Sequence, residues 1–75
     1  MGEFAVILVH TTSHAVQAER VLVRAGLHVK LIPTPRQLSS DCGAALRIPA
    51  ADRQSSQEAL LEAGVAIDRV EVLTE

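Results

Sequence analysis

The sequence predicts a small α+β sandwich, with four strands in one antiparallel sheet and two helices on a single face. Three observations carry that prediction. Apolar residues recur at strand spacing in four places and at helical spacing in two, in the order β-α-β-β-α-β. Gly26 and Gly64 each stand where a helical pattern ends. Pro33 and Pro49 each close a strand-like run.

The elements follow in order. Residues 4–9 are six consecutive apolar residues, several β-branched, and read as a central strand buried on both faces. His10-Thr11-Thr12-Ser13 supplies turn and capping chemistry, with Thr12 or Ser13 as the expected N-cap. Ala15, Ala18, Val21, Leu22 and Ala25 then fall on one helical face, with Gln17, Glu19, Arg20 and Arg24 on the other. Residues 27–32 alternate as a strand with Val29 and Leu31 inward and His28 exposed. Pro33-Thr34-Pro35-Arg36 is a stiff connection.

A polar segment, Leu38-Ser39-Ser40-Asp41-Cys42-Gly43, follows before a third strand at 44–48. Residues 52–63 form a second helix with Ala59, Leu60 and Ala63 inward and Asp52 in the first turn, where a carboxylate suits the helix dipole. Residues 67–73 are the fourth strand. The order is that of the ferredoxin-like sandwich. Right-handed crossovers place strand one beside strand three, with strands two and four at the edges.

A chain of 75 residues is read as one domain over 1–75, with no linker or targeting segment. Its core is aliphatic, since Trp and Tyr are absent and Phe4 is the one aromatic residue. A net charge of −2 with scattered Lys and Arg speaks against a nucleic-acid partner. The six-residue apolar run is too short to span a bilayer, so the expectation is a cytoplasmic protein with no membrane partner. One cysteine cannot form an internal disulfide, and neither a metal site nor a cofactor is expected.

The predicted topology brings distant residues together. Strand three begins at the sheet end where strand one stops, so Cys42 is expected beside the 10–13 loop and the first helix N-terminus. A helix N-terminus favours a thiolate. Ser39, Ser40 and Gly43 are candidate hydrogen-bond donors to an anionic sulfur, while Asp41 opposes the anion unless it points away. His10 or His14 would supply a proton or a positive partner, Arg36 a cation, and Ser13 belongs to the same capping turn. The plain alternative for Cys42 is a small core hydrophobe. Arg47 is expected to pair across strands with Glu71.

The motif Pro35-Arg36-x-Leu38-Ser39-Ser40-Asp41-Cys42-Gly43, supported by Ser13-His14-Ala15, resembles a family of small bacterial and archaeal selenium/sulfur carrier-like proteins. The resemblance covers essentially the whole chain. It implies that Cys42 carries sulfane sulfur or selenium as a persulfide or perselenide. The implied partners are a donor, such as a cysteine desulfurase, and an acceptor protein, so the chain reads as a carrier more than a turnover enzyme. The competing class is an ACT-like small-molecule-binding or regulatory module, which shares the element order and uses no covalent chemistry. Strand one is apolar on both faces, so either Ile7 and Val9 or Phe4 and Leu8 face the side without helices. That open face is the expected surface for a homodimer or a partner.

Overall fold

The computed structural model describes residues 2–38 and 42–74. Its elements are β1 (Glu3–Leu8), α1 (Thr12–Arg24), β2 (Lys30–Pro33), β3 (Ala44–Pro49), a single 3-10 turn (Ala50–Asp52), α2 (Arg53–Ala63) and β4 (Arg69–Thr74). The strands form one antiparallel sheet in the order β2-β3-β1-β4. This is the α+β sandwich of ferredoxin-like order.

β1 is central because it is apolar on both faces. Ala5, Ile7 and Val9 pack with Ala15, Ala18 and Leu22 of α1, Leu60 of α2, and Leu46 and Ile48 of β3. Phe4, Val6 and Leu8 point to the opposite face, where they meet Ala45, Ile32, Leu38 and Leu73. Of the two assignments open from sequence, the second is therefore the observed one. Both helices cover the Ile7 face.

Each helix ends in the same way. Gly26 (φ 79°) lets its own N–H reach Val23 O and the Leu27 N–H reach Leu22 O, both at 3.0 Å. Gly64 (φ 74°) does the same for Leu61 O and Leu60 O. Both are Schellman turns, and the residues that follow, Leu27 and Val65, return to the core.

Several boundaries differ from the sequence expectation for identifiable reasons. β2 begins at Lys30, because Leu27 is still engaged in the α1 cap. Pro33 lies inside β2, opposite Ala44. The Thr34 N–H donates to Gly43 O, so by alternation the Pro33 nitrogen faces the outer edge, where no donor is needed. Leu31 shares the helix-side face with Leu46 but is exposed, since β2 is an edge strand. In α2 the inward stripe is Ser56, Ala59 and Leu60; Ala63 is exposed and Val65 fills the space beneath the last turn.

Arg47 and Glu71 are not strand neighbours, because β1 runs between them and Val6 is in register with both. The Arg47 guanidinium lies 3.9 Å over the Phe4 ring, and Glu71 accepts from Arg69 Nε at 2.9 Å. His28 is exposed and precedes β2.

Candidate functional site

The thiol lies at the sheet end where β1 stops and β3 begins, in register through Leu8 and Ala45. Two anchors hold its segment. Leu38 packs on the face away from the helices, with Val6, Leu8 and Ala45. Cys42 packs on the helix side, with Val9, Ala15 and the rest of that core. The intervening Ser39, Ser40 and Asp41 lie outside the described residues. Leu38 and Cys42 are thus anchored on opposite faces of the sheet.

Backbone contacts fix Cys42 from the β2 side. Thr34 Oγ1 donates to the Cys42 carbonyl at 2.8 Å, and the Thr34 N–H donates to Gly43 O at 3.0 Å. From the β3 side, the Ala44 N–H reaches Sγ at 3.4 Å. From the helix side, Thr12 Oγ1 stands 3.7 Å from Sγ. The side chain is only 5% exposed. Donors therefore approach the sulfur from two elements, inside a largely apolar wall. A sulfur anion here gains hydrogen bonds of the charge-assisted kind.

The helix N-terminus is built one residue earlier than expected. Thr11, in extended conformation, is the N-cap, and its Oγ1 accepts from the His14 N–H at 3.1 Å. The same Oγ1 lies 3.1 Å from His14 Nδ1. This arrangement spares Thr12 from capping and turns its hydroxyl toward Cys42. The His14 ring is tied into the cap, His10 and Ser13 are exposed, and Arg36 lies in the exposed turn closed by Leu38 N–H to Pro35 O at 3.0 Å. A shallow cleft lined by Thr12, Ser13, Val16, Gln17 and Arg20 opens along α1 beside the site.

Sequence reasoning placed the cysteine and the capping turn together but passed over Thr12 and Thr34 as site residues. Their signal lay in position. A threonine at the first helical residue, and one immediately after a strand-ending proline, both sit at the sheet end that holds Cys42.

The open face of the sheet carries the second apolar cluster. Its centre, Val6, Leu8 and Ala45, is fully buried by the chain itself, beneath Phe4, Ile32, Leu38 and Leu73. The apolar surface on this face, among the described residues, is that of the partly exposed Phe4, Ile32, Leu38 and Leu73. Among the described residues, no helix is long and apolar enough to cross a membrane.

A small α+β sandwich that holds one thiol at a sheet end, against the first turn of its first helix, defines a class of single-cysteine domain. The chain belongs to the family described as "Putative Se/S carrier protein-like", whose model matches residues 4–70. No curated protein and no solved structure matches it.

Proposed function

We propose that the chain is a sulfur or selenium carrier that holds the transferred atom on Cys42 Sγ as a persulfide or perselenide. One observation supports this above the others: Sγ lies within reach of both the Thr12 hydroxyl and the Ala44 N–H, at the N-terminus of α1. Family membership supports the same reading.

The chemistry balances without an added oxidant. The Cys42 thiolate attacks the outer sulfur of a donor persulfide, such as that on a cysteine desulfurase. A new S–S bond forms to Cys42, the donor's S–S bond breaks, and the donor leaves as a thiolate. In delivery, an acceptor nucleophile attacks the outer atom and Cys42 departs as thiolate. No second cysteine is present to discharge the persulfide as an internal disulfide.

Supporting roles belong to the neighbouring polar residues in this reading. Ser39, Ser40 and Gly43 offer donors to the sulfur, and Ser13 opens the approach along α1. Arg36 meets an anionic group of the donor, and His10 or His14 relays a proton. Asp41 disfavours the anion and is assigned to partner recognition. The setting for this exchange is the cytoplasm.

The test is intact-mass measurement after incubation with a cysteine desulfurase and cysteine. The expected result is a gain of one sulfur atom, reversed by dithiothreitol and absent in Cys42→Ala. No gain, under conditions where the same donor charges another acceptor, refutes the carrier.

The burial of Cys42 supports a second reading, in which the thiol is a core residue and the domain is an ACT-like binding or regulatory module. Under it, Cys42→Ala lowers stability and leaves function in place. Under the carrier reading, Cys42→Ala abolishes transfer whatever its effect on stability.

A further inference from the structure

At the sheet end remote from Cys42, β3 outruns β2. Their pairing reaches only Lys30 and Arg47, while β3 continues through Ile48 and Pro49. Between those last residues and His28-Val29 opens a groove of about 320 Å³, with Glu3 and Phe4 also in its wall. Val29 and Ile48 belong to the helix-side core and make the floor apolar. Lys30 and Arg47 stand on the other face of the sheet with Phe4, since Arg47 is in register with Val6 and Lys30 with Arg47.

Lys30 and Arg47 are thus cross-strand neighbours of like charge, an arrangement that repels and weakens a sheet. A carboxylate placed between them turns that repulsion into two attractions. The Arg47 guanidinium is already oriented, 3.9 Å over the Phe4 ring, and its five N–H donors serve more than one partner at a time. Lys30 is exposed, and His28 in the same wall offers a ring N–H in either charge state. The acids of this region are placed apart from these cations. Glu71 lies in the same cross-strand row beyond Val6 and is held by Arg69 Nε at 2.9 Å. Glu3 shares the helix-side face of Ala5, so its charge bears on the far end of the groove and favours an uncharged group there. The groove is therefore cationic on one face of the sheet and apolar along its floor.

The geometry points to a binding site for a small organic acid, its carboxylate held by Lys30, Arg47 and His28 and its apolar body laid along Val29, Ile48 and Pro49. The volume falls at the small end of the range for ligand pockets, which suits a ligand of this size. The site is separate from the thiol, because β3 runs its whole length between the groove and Cys42.

Titration of the full chain with sodium hexanoate, followed by amide NMR at constant ionic strength, tests this. The expected result is a set of saturable shifts centred on the amides of residues 28–30 and 47–48, in the millimolar range for so small a probe. Hexanamide, the neutral isostere, is expected to bind about tenfold more weakly or worse, and Lys30→Glu is expected to cost hexanoate at least as much. Lys30 is exposed, so that variant keeps the fold. No saturable shift in the groove overturns the inference, as does hexanamide binding equal to hexanoate. Inorganic phosphate that matches hexanoate on the same amides also overturns it, since the cations would then attract any anion without use of the apolar floor.

Discussion

Replacing Thr12 with valine removes a side-chain hydroxyl that reaches the thiol. Thr12 and valine have the same shape, and the position is exposed, so no cavity opens and access to Sγ is unchanged. The helix cap is untouched, because Thr11 provides it. What is lost is the Oγ1···Sγ contact at 3.7 Å. A hydrogen bond to a charged group contributes about 1.5–3 kcal/mol, and a long contact to sulfur belongs below that range, at about 1 kcal/mol. At a pH where the thiol form predominates, losing ~1 kcal/mol lowers the thiolate fraction about fivefold. The greater nucleophilicity of the less stabilised anion offsets about half of that, so alkylation should slow about twofold. The assay is the second-order rate of iodoacetamide alkylation at fixed pH, followed by intact mass. Thr12→Ser, which keeps the hydroxyl, should stay near the wild type. A Thr12→Val protein that alkylates at the wild-type rate or faster would refute the claim that this hydroxyl supports the anionic sulfur.

Other perturbations test the scaffold that presents the thiol. Thr11→Ala removes the α1 N-cap and should cost about 1 kcal/mol, lowering Tm by roughly 4–8 °C in a calorimetric scan of a domain this small. Ser56 is fully buried with no hydrogen-bond partner for its Oγ among the described residues, so Ser56→Ala should leave stability equal or higher by up to about 1 kcal/mol in urea denaturation. Ile7→Ala empties the centre of the helix-side core and should cost about 2–5 kcal/mol, enough to leave a domain of this size largely unfolded at 37 °C by circular dichroism.

The parts of the fold that were legible in the sequence are those fixed by local chemistry. Gly26 and Gly64 announced their helix ends because a left-handed residue is needed there and no side chain adopts it cheaply. The six apolar residues from Phe4 could only be a strand buried on both faces, and that made β1 central. The parts that were not legible depend on what lies opposite. Phe4 and Ile7 are equally apolar, so only the placement of the helices decides which face each takes. Ser56 reads as a surface residue of a helix until the packing shows it inward, and Ala63 reads as inward until Gly64 turns Val65 into its place. Thr11, Thr12 and Ser13 are all acceptable caps by composition, and a single dihedral choice made Thr11 the cap and released Thr12 for Cys42.

The burial of the thiol is compatible with a chemical role. Cys42 closes the end of the helix-side core, and its Sγ faces the first turn of α1 instead of another hydrocarbon. A cysteine kept only to fill space can donate its S–H to the Thr12 hydroxyl, but as a weak acceptor its sulfur gains little from an N–H directed at it. An anionic sulfur gains from both, and it needs water excluded if the outer atom is to survive until an acceptor arrives. Burial and polar contact together suit a persulfide better than either does alone. It follows that a substitution which keeps the donors but opens the pocket should separate the two effects. Ala15→Gly, at a buried position of α1 packed in the same core, would be expected to speed alkylation of Cys42 while shortening the lifetime of a persulfide formed on it. If both rates moved in step with global stability alone, the site would have no local enclosure of its own and the core reading of Cys42 would gain.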